Sequence, residues 1–482
     1  MRVTQYKGVL DLLDSVIEAA EYMKAHNSGE LCAICAQSLH SVLNTVKDEE
    51  DSDELTTMIN DAVDCFENEV FDTEDLIELI RSIKEKTAKD IKYRLRVLFV
   101  AELGGKWDSM ASVYEAFCKR DDCDVDVVLE PIFREVKYTD GSTKREVIYK
   151  DWLTPLGIKH ILYDHYDMTT IRPDITFFSQ PYESCTIPMF WPENMAKYTK
   201  VVFLPYYTCL MMNKPHYTSD MFMHFPTEKY SWKIACQSDC MKDCYNKYAS
   251  NKGKNVIVSG LPKWDYSFNL SQNNTPCPEK WEKIISGKKV FMLNTHFSLV
   301  ASSLSGRLQG LINIFEGNPN IALIWRTHPM TDTVLKLYAP DRYNVYLDLL
   351  KKVQNSSNML IDDFEDYRYS FVWSDALLSD EISSIVNQYL MLNKPVLFTS
   401  GKTDKEFKEQ YLDDNLLFDF SRIPFSNTVD QVKSFIKSIS QGEDKWSDDR
   451  KYLINKYFAL SNGGVGQTLT EQIIDLFTDE MI

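Results

Sequence analysis

The chain has 482 residues, of which 44% are hydrophobic and 26% are charged, as in an ordinary globular protein with room for two or three domains. Its formal net charge of −18 argues against a nucleic-acid-binding protein, because such proteins need a basic face to neutralise phosphates. No apolar run reaches the roughly 18 residues of a membrane-spanning helix. The first residues do not resemble a secretory signal, so we expect a cytoplasmic protein.

Residues 1–92 are predicted to form an acidic helical appendage. They contain 9 Lys and Arg against 21 Asp and Glu, a net charge of −12. Apolar residues recur there at the three- and four-residue spacing of amphipathic helices. Cys32 and Cys35 fall within this pattern without a second cysteine pair, which favours buried apolar side chains over a redox or metal role. We expect docking to a protein partner or self-association from this region, and no chemistry.

Residues 93–285 are predicted to form a first parallel-sheet domain. Short β-branched and aromatic runs, typical of strands covered on both faces, occur at residues 94–101, 124–129, 174–178, 200–204 and 255–259. Cys236, Cys240 and Cys244 recur every four residues and are predicted to share one helical face. Small buried side chains are favoured for them over a three-thiolate metal site. Residues 265–287 are polar and are interpreted as a linker.

Residues 286–440 are predicted to form a second domain of the same class, and residues 441–482 are assigned to C-terminal helices. Strand-like runs at residues 289–293, 321–325, 375–378 and 395–398 alternate with helical stretches. This alternation implies right-handed crossovers and doubly wound sheets. The predicted fold class is therefore α/β, with two doubly wound Rossmann-like domains facing a cleft. Ligands bind in such folds where the carboxyl ends of strands open into the cleft.

Polar residues follow three strands of the second domain. Arg326 and His328 follow the strand at residues 321–325 and suit hydrogen bonding to a phosphate. A helix-capping histidine beside a surface arginine is the alternative. Ser383 and Ser384 precede a predicted helix, where hydroxyls either bind a phosphate together with free amides or cap those amides without a ligand. His296 follows residues 289–293, and ligand contact and helix capping are equally open for it.

Together these motifs resemble the CDP-glycerol glycerophosphotransferase family, which builds teichoic-acid-like polyol phosphates in bacteria. The resemblance runs from about residue 95 to the C-terminus. Four segments carry it: Gly260-Leu-Pro-Lys-Trp-Asp265, similar to the family's Gly-Tyr-Pro-Arg-Asn-Asp; Arg326-Thr-His-Pro329; Ser374-Asp-Ala-Leu-Leu-Ser-Asp-Glu-Ile-Ser-Ser384 followed by Lys394-Pro395; and Lys106-Trp-Asp-Ser109. The resemblance implies a GT-B fold, with the donor in the C-terminal domain and the acceptor handled by the N-terminal one.

The resemblance also implies an activity, namely a phosphodiester-forming transferase that uses CDP-glycerol or a similar CDP-polyol and a glycan or lipid-linked acceptor. Arg326 and His328 are implied to hold the donor's pyrophosphate. Ser383 and Ser384 are implied to hold a phosphate, and Asp380 or Glu381 to contact the glycerol or ribose. Positioning and cationic stabilisation dominate such transfers. No carboxylate cluster is committed to a metal, so we expect neither a metal nor a cofactor.

The general base is harder to assign. The family's Trp-His-Gly-Thr-Pro motif, whose histidine is its proposed base, corresponds here to Phe203-Leu-Pro-Tyr-Tyr-Thr208, which contains no histidine. The catalytic candidates are therefore His224, His296 and Asp108, with His216 as a further histidine. Tyr206 or Tyr207 could orient the acceptor hydroxyl, but an unperturbed phenol is a poor base at neutral pH.

Two other hypotheses stay open. A GT-B glycosyltransferase or sugar-nucleotide epimerase that uses a UDP- or GDP-sugar needs the same grip on a pyrophosphate. A catalytically silent scaffold agrees with the absent histidine. A lipid-linked acceptor adds the expectation of peripheral contact with the inner face of the cell membrane. That contact should be weak or mediated by a partner, because anionic headgroups attract basic clusters and the N-terminal helices are acidic.

Overall fold

A computed structural model of the chain describes residues 1–26, 28–50, 52–69, 72–102, 104–137, 142–208, 225–272, 275–299, 302–364, 366–381, 383–411 and 418–481. Its elements form a helical N-terminal region, two parallel β-sheets and a pair of C-terminal helices. The predicted α/β class, with two doubly wound domains and a helical appendage, is confirmed. None of the helices in these ranges is both long and apolar enough to cross a bilayer.

The N-terminal region consists of four helices: α1 Val3–His26, α2 Cys32–Val46, α3 Asp53–Asn68 and α4 Thr73–Asp90. Their apolar faces pack into a core of their own, which includes Cys32 and Cys35 as free thiols. Burial raises the pKa of the Cys35 thiol to about 11, so the thiol stays protonated near neutral pH. The region is joined to the first sheet through Arg2, which pairs with Asp174 at 3.3 Å.

The first sheet has seven parallel strands in the order β5-β2-β1-β6-β7-β8-β9. Their bounds are β1 Leu95–Ala101, β2 Cys123–Leu129, β5 Ile161–Leu162, β6 Ile175–Phe178, β7 Lys200–Phe203, β8 Lys233–Cys236 and β9 Val256–Val258. An antiparallel hairpin, β3 Ile132–Lys137 with β4 Thr143–Ile148, follows β2. The helices of this part are α5 Ala111–Cys118, α6 Met168–Ile171, α7 Pro192–Met195, α8 Pro226–Tyr230 and α9 Asp239–Tyr248.

One sequence-based prediction in this part is wrong. Cys236 ends strand β8, whereas Cys240 and Cys244 lie on α9, so the three thiols do not share one helical face. The helix begins only after Ser238, whose side chain accepts a hydrogen bond from an amide of the first turn. The predicted linker contains two helices, α10 Lys263–Gln272 and α11 Glu279–Ile285. They form because Trp264 and Trp281 are buried against the second domain's cores.

The second sheet has six parallel strands in the order β12-β11-β10-β13-β14-β15. Their bounds are β10 Lys289–Thr295, β11 Ile321–Thr327, β12 Met359–Ile361, β13 Ala376–Asp380, β14 Val396–Thr399 and β15 Phe425–Ser426. The helices around it are α12 Leu308–Asn313, α13 Thr331–Tyr338, α14 Pro340–Gln354, α15 Arg368–Trp373, α16 Ile385–Leu390, α17 Asp404–Tyr411 and α18 Val429–Ser440. Strand order reverses beside β10, where such folds bind ligands.

The C-terminal helices are α19 Ser447–Tyr457 and α20 Val465–Met481. Helix α19 packs on the second domain, but α20 returns to the first sheet, where Leu469, Ile473 and Phe477 are buried in its core. A Cβ atom at Gly466 would lie 2.4 Å from the carbonyl oxygen of Ser112, so glycine permits this close approach to α5. The last helix therefore joins the two sheet domains.

Candidate active site at the ends of the sheets

Two histidines lie side by side at the carboxyl edge of the second sheet. Strands β10 and β11 pair in parallel with Thr295 opposite Thr327, so His296 and His328 leave the sheet at the same level. Their ring centroids are 5.2 Å apart, and the ring of Phe297 packs 4.6 Å from His328. The register of two neighbouring strands thus brings together residues that are 32 positions apart in the sequence.

Hydrogen bonds define the protonation of both rings. The backbone amide of Ser298 donates to Nδ1 of His296 at 3.2 Å, and the amide of Met330 donates to Nδ1 of His328 at 3.0 Å. Burial lowers the pKa of His328 to about 4, and burial with the neighbouring His328 lowers the pKa of His296 to about 4. Both imidazoles are therefore neutral at pH 7 and carry their proton on Nε2, where each is a hydrogen-bond donor.

Arg326, at the end of β11, is anchored by a buried carboxylate. Its Nη1 donates to Asp362 Oδ2 at 2.6 Å and to the carbonyl oxygen of Phe364 at 3.0 Å. Asp362 also accepts from Ser370 and from the amide of Phe364. The guanidinium is therefore held in place by buried partners, and it is not the solvated surface arginine of the alternative interpretation.

The serine turn is attached to β10, and its hydroxyls do not cap the next helix. Ser383 Oγ donates to Asn294 Oδ1 at 2.6 Å, and Asn294 Nδ2 donates to the carbonyl oxygen of Arg326 at 3.4 Å. Ser384 stands at the N-cap position of α16 without a side-chain cap and is exposed. Capping of α16 by these serines is therefore wrong, because Ser383 is bound to the neighbouring strand.

Asp380 is fully buried, and its two carboxylate oxygens are occupied. Oδ2 accepts from the amide of His296 at 2.8 Å, and Oδ1 accepts from the amide and hydroxyl of Ser303 at 2.8 and 2.6 Å. Burial raises the pKa of Asp380 to about 7 against the opposing effect of these hydrogen bonds. The predicted contact of Asp380 with glycerol or ribose does not fit this geometry, because both of its carboxylate oxygens already accept hydrogen bonds from the protein. Instead it positions His296.

The adjacent Glu381 differs from Asp380. Its Oε1 accepts hydrogen bonds from Ser400 Oγ at 2.9 Å and from the ammonium group of Lys402, whereas its buried Oε2 has no hydrogen-bond partner among the described residues. Sequence analysis missed Ser400 and Lys402, as well as Ser303 and Asn294. The polar residues directly after the apolar run at 395–398 were the available signal for the first two.

Two motifs of the resemblance have structural roles. Lys394 of the Lys-Pro pair donates to the carbonyl oxygens of Phe371, Val372 and Ser374 at 2.7–2.9 Å, and burial lowers its pKa to about 8. Asp265, in the Gly-Leu-Pro-Lys-Trp-Asp segment, accepts from the first two amides of α20 at 2.7 and 2.9 Å. The first motif closes the end of α15, and the second attaches the C-terminal helix.

Asp108 belongs to the first domain but contacts the second. It lies in a 3₁₀ turn, Gly104–Ser109, that follows β1. Its Oδ2 accepts from Tyr367 Oη at 2.7 Å and from Gln388 Nε2 at 3.0 Å, while its buried Oδ1 has no hydrogen-bond partner in the part of the chain that the structure describes. Gln388 lies on α16, directly beyond the serine turn, so Asp108 is connected to the edge that carries the histidines.

The stretch without the family's histidine follows β7. Tyr206 accepts a 2.5 Å hydrogen bond from buried Lys263 through its carbonyl oxygen, and its ring lies 4.4 Å from Lys106 Nζ. Burial raises the pKa of the Tyr206 phenol, so the phenol stays protonated near neutral pH. His216 and His224 lie outside the described residues.

The chain was compared with protein families, with curated proteins and with solved structures. The model of the family described as CDP-Glycerol:Poly(glycerophosphate) glycerophosphotransferase matches residues 210–475, more than half of the chain. The teichoic acid poly(ribitol-phosphate) polymerase of Bacillus spizizenii is 22% identical over 264 residues, 52% of this chain and 38% of that protein. The chain therefore matches well under half the length of this curated relative.

Solved structures share the fold. The wall teichoic acid polymerase TagF superposes with a TM-score of 0.51 at 13% identity, covering 89% of this chain and 98% of that one. A putative UDP-N-acetylglucosamine 2-epimerase from Listeria monocytogenes superposes with a TM-score of 0.54 at 12% identity, covering 80% and 97%. At this identity the likeness concerns the fold alone, so it does not choose between polymerase and epimerase.

Proposed function

Because this chain belongs to the CDP-glycerol:poly(glycerophosphate) glycerophosphotransferase family, we propose that it transfers glycerol phosphate from CDP-glycerol, or a similar CDP-polyol, to a hydroxyl of a glycan or lipid-linked acceptor. The observation that carries the proposal is the pair of neutral imidazoles at the ends of β10 and β11. Their Nε2–H groups, beside the guanidinium of Arg326, offer hydrogen-bond donors to a diphosphate at the strand-order reversal.

The proposed reaction is a single substitution at phosphorus. The acceptor oxygen attacks the phosphorus that bears glycerol, a new P–O bond forms, and the phosphoanhydride bond breaks. CMP leaves with the bonding electrons, and the hydroxyl proton passes to a base. Negative charge develops on the phosphoryl and leaving oxygens, so fixed donors lower the barrier. A neutral imidazole anchored through Nδ1 is such a donor, because no reorganisation is needed when the charge appears.

Other side chains of the second domain are assigned to different groups of the CDP-glycerol donor. We assign Arg326 and His328 to the pyrophosphate, and Ser383 with the exposed Ser384 to a phosphate at the turn before α16. Glu381 is assigned to a hydroxyl of ribose or glycerol, since its buried Oε2 has no hydrogen-bond donor. Asp380 holds the turn of His296 and does not contact the donor.

Among the predicted bases, Asp108 has the most suitable geometry in the described part of the chain. His296 is disfavoured, because its Nδ1 already accepts an amide and its Nε2 carries the proton in the neutral ring. Asp108 presents a carboxylate oxygen without a partner at the domain interface. We therefore assign proton removal to Asp108, and a charge-neutral Asp108→Asn variant should lose transfer while it still binds CDP-glycerol.

Donor choice provides the decisive experiment. We expect CDP-glycerol to raise the melting temperature of the purified chain, and UDP-N-acetylglucosamine to leave it unchanged. CMP release with a glycerol phosphate oligomer as acceptor should depend on His328. His40 supplies a matched control, because it is about half exposed on α2 and pairs with Glu67. Stabilisation by the UDP-sugar alone would favour the epimerase or glycosyltransferase hypothesis. No stabilisation and no CMP would favour the scaffold.

Membrane contact and protein partners are part of the same proposal. The acidic N-terminal helices should not bind anionic lipid by themselves, so contact with a lipid-linked acceptor should depend on the acceptor or on a partner. In liposome flotation we expect the purified chain to stay with the soluble fraction on anionic vesicles. Flotation without an acceptor or partner would contradict this part of the proposal.

A further inference from the structure

A cavity of about 340 Å³ lies between the two sheet domains, within the usual size range of small-molecule sites. The first domain contributes Trp107 and Trp152, helix α10 contributes Tyr266, and the second domain contributes Tyr367. The two indole rings are 5.6 Å apart, and the two phenol rings are 5.5 Å apart. Aromatic side chains of both domains thus form apolar walls on the two sides of one cavity.

One buried polar atom in this cavity has no hydrogen-bond partner within the described ranges of the chain. Asp108 is nine-tenths buried, and its Oδ1 accepts no hydrogen bond, although Oδ2 accepts from Tyr367 and Gln388. Asp151, by contrast, accepts from Leu153 and Thr154. A buried carboxylate oxygen without a donor is costly, so this atom is suited to a ligand that brings an O–H group.

The charges in the cavity oppose a phosphate as the ligand there. Three carboxylates, those of Asp108, Asp151 and Asp366, face two cations, Lys150 and Arg368. Arg368 is already held by Asp366, and its guanidinium lies 5.2 Å from the ring centre of Tyr266. A phosphate in this place would meet a net negative surround. An uncharged ligand with C–H faces and several hydroxyls fits both the aromatic walls and the carboxylate.

We infer that this cavity binds an uncharged, hydroxyl-rich unit of the acceptor, a sugar ring or a polyol, and that Asp108 Oδ1 accepts a hydrogen bond from one of its hydroxyls. The inference rests on the proposed function, which requires an acceptor hydroxyl near the donor. Gln388 connects the two sites, because it contacts Asp108 and lies four residues after Ser384, about 6 Å along a helix.

Gly105 provides a way to fill the cavity without disturbing its walls. A Cβ atom at Gly105 would meet no heavy atom within 4 Å, whereas one at Gly104 would meet Trp152 at 3.3 Å. Gly8 on α1 is a matched control, since a Cβ atom there also meets nothing within 4 Å. The variants Gly105→Leu and Gly8→Leu therefore make the same change at open positions, one beside the cavity and one remote from it.

The test is saturation-transfer NMR of the full chain with two uncharged probes, methyl N-acetyl-β-D-glucosaminide and glycerol. We expect a signal from at least one probe with the unchanged chain and with Gly8→Leu, and loss of that signal with Gly105→Leu. Asp108→Asn replaces the free oxygen by a donor group and should weaken binding by about tenfold. The responding probe distinguishes a sugar ring from a polyol as the bound unit.

Binding of CDP-glycerol, measured in parallel by thermal shift, separates this inference from the proposed function. If neither probe binds, or Gly105→Leu binds as tightly as the unchanged chain, the cavity is not an acceptor site, even where CDP-glycerol still stabilises the protein. If CDP-glycerol has no effect but a probe binds in a Gly105-dependent manner, the transferase proposal fails and the cavity remains a site for hydroxyl-rich ligands.

Discussion

The carboxyl edges of the two sheets present opposite hydrogen-bonding chemistry. At the second sheet, Asp362 and Asp380 are saturated by neighbouring donors, and the imidazole N–H groups of His296 and His328 remain. At the first sheet, Asp108 keeps a buried carboxylate oxygen without a partner. One edge thus offers donors, which suit phosphate oxygens, and the other offers an acceptor, which suits a hydroxyl.

This difference assigns a substrate to each half of the cleft from local chemistry alone. Carboxylates near a phosphate site would repel CDP-glycerol unless their charge were compensated. In the second domain, Arg326 pairs with Asp362, and backbone amides donate hydrogen bonds to Asp380. Glu381 is compensated by Lys402 at Oε1, and its Oε2, which has no hydrogen-bond partner among the described residues, is suited to a hydroxyl of CDP-glycerol. Each of the following predictions either breaks this contrast or makes it sharper.

The largest effect is expected at His328. A glutamine side chain keeps an N–H donor near the position of Nε2, whereas alanine removes it. We expect His328→Ala to lower the rate of CMP release by about 100- to 1000-fold, as for the loss of one donor to developing charge, and His328→Gln to recover most of this loss. If His328→Gln is as inactive as His328→Ala, the histidine acts as a base or as an imidazolium. The assignment of this sheet edge as a source of hydrogen-bond donors is then wrong.

The next effect is expected from Lys394→Met, and it concerns the stability of the fold. In free energy, the loss should be similar to or smaller than the rise in the reaction barrier caused by His328→Ala. The substitution leaves the carbonyl oxygens of Phe371, Val372 and Ser374 without their buried donor. We expect the free energy of unfolding to fall by about 2–4 kcal/mol in urea denaturation. Lys405→Met, at a side chain that is 84% exposed, is the control and should change it little. Unchanged stability with lost activity would instead make Lys394 a ligand-binding residue.

Substitutions of Asp380 and Glu381, the neighbouring acids of the serine turn, should have different effects. Glu381→Gln is expected to raise the KM for CDP-glycerol about tenfold, because one charged hydrogen bond to a hydroxyl is weakened. It should also lower the melting temperature, because the buried ion pair with Lys402 loses its negative partner. Asp380→Asn should lower the melting temperature, since its amide cannot accept from both His296 and Ser303. The reverse pattern, a stable Asp380→Asn with a raised KM, would restore the predicted donor contact of Asp380.

Asp380 and Glu381 also show what could not be predicted from the sequence. Continuous apolar runs located most strands of both sheets, and polar residues after three of them indicated the edge where His296, Arg326 and Ser383 meet. Adjacent acids cannot be ranked in this way, because strand β13 continues to Asp380 and buries it, while Glu381 lies beyond the strand's end. Four strands of the two parallel sheets were not located: β5, β8, β12 and β15. Of these, β5 and β15 have two residues each and are too short for a periodic signal.

The motifs of the resemblance had a similar limit. Their spacing identified the family, but it did not distinguish a lysine that binds phosphate from one that closes a helix, as Lys394 does. The difference depends on where the ends of α15 and β13 meet. Likewise, the pairing of Asp108 with Tyr367 and Gln388 spans more than 250 residues and requires both domains to be placed.

The smallest expected effect is a change in the pH dependence of stability. Burial lowers the pKa of His328 from 6.5 to about 4, so between these values the unfolded chain binds more protons than the folded one. Stability from this histidine is therefore present above pH 6.5 and is lost as the pH falls towards 4. Asp380, with a pKa raised to about 7, contributes the opposite slope, so the melting curve of the unchanged chain alone does not isolate the histidine.

The comparison with His328→Gln removes the contribution of Asp380, which is common to both proteins. It reports the two histidines together, because His328 also lowers the pKa of His296. We expect the unchanged chain to lose melting temperature relative to His328→Gln as the pH is lowered from 6.5 towards 4. If the difference between the two proteins stays constant across this window, His328 titrates normally in the folded state. The edge of the second sheet would then carry a solvated imidazole that is partly charged. The contrast between the edges of the two sheets would depend on Asp108 alone.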